Sequence, residues 1–468
     1  MKLKKFNELS KPIYDKWDNY NYNNFERRSN IECLLQKKKL IVNFKGVINE
    51  MFLDALINYD NLNTILFYGI SKVKLFAYYS NNLANYTTIY GIKEISLSHQ
   101  QLIAFFYQIY FDDKYFNFRK IKDIENYISK KMGKKKTYKF NILIFKNKEG
   151  HNLDPILKES NLFYYYSKNR LQKIILNTIL FNHKSLEMLN KINVLKYMNN
   201  FKQSRKFFLK YRKILFEKVN HMDHHKFMVF SSINLYLLGL RDMNDLDVYV
   251  DILDNMKTKN SLDKLIRVKN DNEFIDFSIK GTQFWQPYWN TWLPEWARLC
   301  GTFSFNNILV DSKFHYYWLG VKIIAPMCDI QRRIHRNRPR AYGDLIILKR
   351  EKLFNFRLPT PSFTKKEFKL ISDLNEEELN ECLRNEWNYV SKKKIEIFKE
   401  EKIDRTKFLS TIKWWLKEKY NFEVTINDVK DILNIRPERK KINPDIQEKI
   451  NLKNKMIKLK KRITGDYF

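Results

Sequence analysis

Two carboxylates open an apolar run in the stretch Asp245-Leu246-Asp247-Val248-Tyr249-Val250. The alternation reads as a strand, and strand side chains alternate in direction, so Asp245 and Asp247 point to one face. Two carboxylates on one face repel each other unless a cation sits between them. Mg²⁺ takes hard oxygen ligands and is commonly held by one or two carboxylates plus substrate phosphates. Phosphoryl- and nucleotidyl-transfer sites need this arrangement. Upstream, residues 233–239 read as a helix with Ser231 and Ser232 at its start. Serine there is commonly a plain N-cap, and a helix N-terminus is also an anion site. Downstream, Glu273-Phe-Ile-Asp276-Phe-Ser-Ile279 alternates like a strand, with Asp276 between apolar residues. A buried carboxylate needs a positive partner, and a metal beside Asp245 and Asp247 would supply one.

Phe230, Ser231, Ser232, Asp245, Asp247 and Asp276 together resemble the nucleotidyltransferase superfamily of DNA polymerase β, poly(A) polymerases, CCA-adding enzymes and bacterial toxin-type nucleotidyltransferases. That family carries an apolar residue, Gly, then Gly or Ser. An apolar-flanked Asp-x-Asp follows after about ten residues, and a third Asp lies on a later strand. The resemblance spans about residues 228–350. It implies two Mg²⁺ (or Mn²⁺) ions on Asp245 and Asp247, with Asp276 completing the second site. It also implies that Ser232 holds a phosphate through its hydroxyl and amide. Ser231, Ser232 and Arg241 are read as the nucleotide-binding set. This chain departs from the family at Ser231, where glycine lets the backbone approach the triphosphate. A weaker echo is the basic run Ile330 to Leu345, with Arg332, Arg333, Arg336, Arg338 and Arg340. Arginine suits bidentate phosphate contacts, so Arg332, Arg333, Arg336 and Arg340 are candidate phosphate or acceptor residues. A solvated helix face is the alternative.

The 468 residues carry 86 basic and 52 acidic side chains, a net charge of +34. A field of that sign attracts polyanions such as RNA, DNA or nucleotides. Lys, Asn, Ile, Tyr and Phe, all with AT-rich codons, are abundant, while Gly numbers 11, so genome composition explains part of the lysine excess. Such a genome fits a parasite or a large DNA virus. Four dispersed cysteines, Cys33, Cys300, Cys328 and Cys382, exclude a small disulfide scaffold or a zinc motif. No apolar run reaches the ~18 residues of a membrane span, and Met1-Lys-Leu-Lys-Lys-Phe6 lacks an apolar region behind it. The expectation is an intracellular chain, cytoplasmic or virus-associated, that is not secreted. Its oligomeric state is open.

The pattern along the chain predicts a mixed α/β (α+β) protein. Residues 1–36 read as a polar arm. Residues 37–215 read as an α/β domain with strands at Leu40–Phe44, Thr64–Gly69, Leu75–Tyr79, Thr88–Leu97 and Phe140–Phe145. Within it lie a helix from His99, a basic loop Lys130–Lys136 and a helical stretch over 170–218. Residues 216–357 read as a nucleotidyltransferase-like domain, a short mixed sheet flanked by helices with its carboxylates at strand ends. Leu358-Pro-Thr-Pro-Ser362 reads as a linker. Thr364-Lys-Lys-Glu367 after it is a capping-box signature, so 364–468 is expected to be helical with a basic tail over 453–462. His221, His224 and His225 are read as surface residues rather than ligands. Trp285, Trp289, Trp292 and Trp296 are read mainly as core, with base stacking the alternative.

Three functions follow. The first is a metal-dependent nucleotidyltransferase acting from an NTP on an acceptor hydroxyl, with RNA 3′ ends favoured and a protein, sugar phosphate or small molecule also open. The second is a nucleic-acid-binding protein on an inactive version of the same fold, which the serine at 231 favours. The third is a phosphoryl hydrolase using the same carboxylates.

Overall fold

The computed structural model describes residues 53, 56–57, 62–113, 121–147, 153–159, 162–167, 169–219, 224, 227–243, 245–250, 267–270, 273–276, 282–285, 300, 308–309, 312–369 and 397–435. The expected strand Leu40–Phe44, the 1–36 arm and the 453–462 tail lie outside the described residues. So do His221, His225, Trp289, Trp292 and Trp296.

The fold is mixed α+β. The N-terminal half is built on strands β1 (Leu62–Tyr68), β2 (Thr87–Ser98), β3 (Thr137–Asn147) and β4 (Phe163–Tyr166), in the order β2-β3-β1-β4. Every neighbouring pair is antiparallel. Helix α1 (Lys72–Tyr78) stands where a strand over Leu75–Tyr79 is expected. The Ser71 hydroxyl caps it by accepting from the Lys74 amide, and a short apolar run does not by itself tell helix from strand. Helix α2 (His99–Ile109) starts on a capping box in which Ser98 and Gln101 satisfy each other's amides. Helix α3 (Ile121–Met132) extends into the expected basic loop. Helix α4 (Asp154–Glu159) precedes β4. The helical stretch over 170–218 divides into α5 (Arg170–Phe181), α6 (His183–Met188), α7 (Val194–Asn199) and α8 (Lys202–Lys218).

The second half is organised by a mixed sheet of β5 (Phe227–Phe230), β6 (Leu246–Val250), β9 (Thr282–Trp285), β10 (His315–Trp318) and β11 (Val321–Ile324), with helix α9 (Ile233–Leu237) linking β5 to β6. Its order is β10-β11-β5-β6-β9. β11 runs parallel to β5, β5 antiparallel to β6, and β6 parallel to β9. β7 (Arg267–Asn270) and β8 (Glu273–Asp276) form a separate two-stranded sheet. Helices α10 (Pro326–Arg336) and α11 (Pro339–Arg350) each start on a proline, which fits the first helical turn because its missing amide would be unpaired there anyway. Beyond the linker, β12 (Thr364–Lys369) pairs antiparallel with β13 (Ile397–Lys402), followed by α12 (Arg405–Tyr420) and α13 (Ile426–Ile432). The region after residue 364 is therefore not wholly helical. Thr364-Lys-Lys-Glu367 is a strand, because its main-chain partners lie more than thirty residues later in β13, and a local capping signature cannot register them.

One hydrophobic core crosses the expected boundary between 215 and 216, which falls inside α8. It joins Phe105, Ile175 and Tyr197 to Tyr236, Trp318 and Leu345. The tight turn between β10 and β11 is fixed from the N-terminal half. Leu319 and Gly320 both have positive φ, 49° and 79°, as a two-residue hairpin requires. The Leu319 amide donates to Gln108 Oε1 at 2.8 Å, and its carbonyl accepts from Arg212 Nε at 2.8 Å. Asn182 Nδ2 donates to the His315 carbonyl at 3.2 Å. The sheet that presents the carboxylates thus stands on the N-terminal helices. No helix among the described residues is long and apolar enough to cross a membrane.

Candidate functional site

β5 delivers Phe230 beside Asp247, its partner in the antiparallel register with β6. The chain then turns through Ser231 at φ 73°, a left-handed conformation that favours glycine. Ser232 and the short α9 follow. Gly239 ends that helix at φ 69°, with the Leu240 amide reaching back to the Leu235 carbonyl at 2.9 Å. A side chain there is blocked as well: a Cβ on Gly239 would lie 2.6 Å from Lys196 Cβ. The chain returns through Arg241 to Asp245 and β6.

This path brings Ser231, Ser232, Asp245 and Asp247 into one corner at the end of the sheet. Ser232 is buried, and its hydroxyl donates to the Asp245 carbonyl at 3.1 Å. That proton is therefore engaged within the protein rather than offered to a phosphate. Asp247 is 7% exposed and Asp245 half-buried. Burial, then the charge of Asp247, push the Asp245 carboxyl above its ordinary range, against the pull of Arg241 and Arg332. Both residues offer oxygen donors, and the ionised form of Asp245 is already penalised. They fit a hard divalent cation, which would relieve that penalty. Among the described residues no group of three His, Cys, Asp or Glu side chains gathers as a metal cluster.

Asp276 lies elsewhere in the topology. The strand beside β6 is β9, and the residue in register with Asp247 is Gln283. Asp276 sits on β8, in register with Arg267 of β7. Alternation identified a strand there but carries no information on which sheet it joins.

The arginines divide into two groups. Arg241 is buried and pairs with Asp344, its Nε and Nη2 donating to the two carboxylate oxygens at 3.1 and 3.2 Å. Arg333 is also buried. It pairs with Asp344 and with Asp329 Oδ2 at 3.1 Å, and donates from Nη2 to the Ser231 carbonyl at 3.2 Å. Arg332 is buried against Asp329 Oδ1 at 2.9 Å and lies over the Phe230 ring at 5.5 Å. These three are not a solvated face. They brace the turn and the carboxylate corner, and Arg241 holds a carboxylate rather than an open phosphate position. Arg336 is half-buried. Burial, then the charges of Arg332 and Arg338, push it down to about 9, while Asp247 pulls upward, so it stays charged at neutral pH. Arg340 is exposed.

Asp344, which lies at the end of the basic run Ile330 to Leu345 and to which the sequence assigned no role, is the hub. Besides Arg241 and Arg333 it accepts from Trp415 Nε1 at 2.9 Å and from the Tyr420 hydroxyl. Gly343 permits this: a Cβ there would stand 2.5 Å from Trp415 Cδ1, so only glycine lets α11 and α12 approach. The signal available in sequence was Asp329-x-x-Arg332-Arg333, whose i,i+3 and i,i+4 spacing is that of intrahelical ion pairs. The α12 partners carried none. His224 makes a contact between its Nε2 and the Val219 carbonyl at 3.0 Å.

Comparison with protein-family models, curated proteins and solved structures finds no match.

Proposed function

We propose that this chain is a metal-dependent nucleotidyltransferase that moves a nucleoside monophosphate from an NTP to an acceptor hydroxyl, with RNA 3′ ends the favoured acceptor. One observation carries the reading. Ser231 holds a glycine-type backbone at the point where a phosphate-binding turn needs it; that turn is tied to Asp245 by the Ser232 hydroxyl and follows Phe230, the register partner of Asp247. The +34 net charge supports a polyanionic acceptor.

Asp245 and Asp247 would hold two Mg²⁺ or Mn²⁺ ions. When bound, such ions neutralise triphosphate charge and lower the pKa of the attacking hydroxyl. The chain's own work is positioning. The Ser231–Ser232 turn offers main-chain amides to the phosphates. Arg333 fixes the turn through the Ser231 carbonyl, and Ser232 fixes its distance from Asp245. The acceptor oxygen bonds to the α-phosphorus, the bond from that phosphorus to the β-phosphate bridge breaks, pyrophosphate leaves with that bond's electron pair, and the acceptor hydroxyl's proton passes to solvent water. Such transfers depend on orientation and charge stabilisation more than on covalent help from the protein.

The second reading, a nucleic-acid-binding protein on an inactive fold, is favoured by β9. Its residues, Thr-Gln-Phe-Trp, include no carboxylate beside β6. The deciding experiment incubates the full chain with each α-labelled NTP, Mg²⁺ or Mn²⁺, and a short RNA or a cell extract. The comparison is Asp245→Ala/Asp247→Ala. Label transferred by wild type alone supports the enzyme, and the product's size names the acceptor class. No transfer under any condition, with RNA bound equally by both proteins, leaves the binding protein.

A further inference from the structure

The basic side chains of α10 and α11 do not end at the carboxylate corner. From Arg336, one helical turn along α10 from the Arg332 that lies over Phe230, the register partner of Asp247, the chain passes exposed Arg338 and reaches exposed Arg340 at the start of α11. The Arg340 guanidinium lies over the Trp414 and Trp415 rings, 5.7 and 5.2 Å from their centroids. The two tryptophans differ sharply. Trp415 is buried and donates to Asp344, so it belongs to the hub. Trp414 is 46% exposed, one of few large apolar side chains so placed among the described residues. A guanidinium over an indole is a favourable pair, and at 46% exposure part of the Trp414 ring remains open to solvent. The rest of α12 adds Arg405, Lys407, Lys413, Lys417 and Lys419 against Glu418 alone.

We propose that Trp414, with Arg340 over its ring, is a base-stacking platform for single-stranded nucleic acid, and that Arg336 and Arg338 carry the strand's phosphates from it toward the Asp245/Asp247 corner. The direction of that track rests on the nucleotidyl-transfer reading; the platform does not. The chemistry selects this occupant. Single-stranded bases offer π-faces to an indole, and the backbone offers the negative charge that the surrounding cations match. A second copy of a chain with net charge +34 would bring like charge to the same face. A duplex, with its bases stacked internally, leaves the indole nothing to stack on. The platform is coupled to the phosphate turn through the adjacent Trp415, which binds Asp344, which binds Arg333, which holds the Ser231 carbonyl.

The test is fluorescence anisotropy of the full chain with labelled single-stranded RNA, single-stranded DNA and duplex RNA, in EDTA so that no transfer occurs. Trp414→Ala is expected to weaken single-strand binding by about tenfold and duplex binding little. Trp414→Phe should keep most of the affinity. Arg340→Ala should weaken binding and lower the salt slope by about one phosphate contact. Unchanged unfolding midpoints show that the exposed substitutions leave the fold intact. The same losses in the Asp245→Ala/Asp247→Ala background, without labelling activity in wild type, would keep the platform and sink the enzyme. Wild-type affinity in Trp414→Ala and Arg340→Ala, equal losses on single strand and duplex, or a change in oligomeric state without a change in RNA binding would overturn the proposal.

Discussion

Ser232 donates its hydroxyl to the main-chain carbonyl of Asp245 at 3.1 Å. The turn after β5 and the start of β6 are thereby held at one separation. Ser232→Ala leaves that carbonyl without its partner in a mostly buried site, a loss of about 1 kcal/mol of stability. The larger effect is expected on transfer, because a small displacement of a ligand-bearing residue costs about tenfold or more in rate. Urea unfolding and the labelling assay on the same variant separate the two. A rate as unaffected as the stability would show that this tether does not set the site.

Ser231 is the position where strain and function meet. At φ 73° an ordinary side chain costs roughly 1–2 kcal/mol that glycine does not. Against that, glycine loses more backbone entropy on folding, about 0.5–1 kcal/mol. Ser231→Gly is therefore expected to be neutral or up to about 1.5 kcal/mol stabilising, with labelling activity kept or raised. Ser231→Val, β-branched in the same conformation, should lose about 1–2 kcal/mol or more and impair nucleotide binding. Thermal midpoints and nucleotide titrations check both. A tolerated valine and a destabilising glycine would mean that the left-handed turn is not kept in solution.

What the sequence made legible was local. The run from Asp245 to Val250 reads as a strand, and β6 occupies Leu246–Val250 with Asp245 just ahead of it; the helix read from His99 begins at that residue as α2. What escaped was pairing across distance. Thr364-Lys-Lys-Glu367 meets every local criterion of a helix start and is a strand because of β13. Asp276 was placed in a strand correctly, but not beside β6, where β9 stands. Arg241, Arg332 and Arg333 have the residue type of phosphate binders. Their burial is decided by Asp329 and Asp344, and by an α12 that follows some sixty residues later. The same hub made Trp415 and Tyr420 invisible until α11 and α12 were seen packed at Gly343.

Asp344 should dominate the stability of that hub. Asp344→Ala leaves Arg241 without its carboxylate and Arg333 with Asp329 alone, both buried. Breaking a buried pair in this way costs about 3–5 kcal/mol. The pH dependence has a definite sign. Burial pushes the Asp344 carboxyl up, but Arg241, Arg333 and the hydrogen bonds from Arg241 and Tyr420 outweigh it and hold it below its usual range. A carboxyl depressed in the fold adds stability above its unfolded pKa of about 3.9, and that stability is lost as pH falls below it. Urea midpoints of wild type should therefore drop from about pH 4 downward more steeply than those of Asp344→Asn. Parallel acid limbs would refute the hub's contribution.

Asp245 carries the opposite sign, and this gives the metal a test that needs no turnover. Burial and the charge of Asp247 raise its carboxyl, so in the absence of a cation its ionised form weakens the fold at neutral pH. Asp245→Asn removes the repulsion from Asp247 while keeping the shape, and in EDTA it should melt at or above the wild-type temperature. A divalent cation reverses the order. Wild type gains stability as RT ln(1 + [L]/Kd), about 2.7 kcal/mol at a hundredfold excess over Kd, and the variant, with one ligand charge removed, gains less. The crossing of the two melting curves between EDTA and saturating Mg²⁺ is the expected result. If Mg²⁺ and Mn²⁺ shift neither protein, Asp245 and Asp247 do not hold a cation, and the transfer chemistry loses its basis even where RNA still binds.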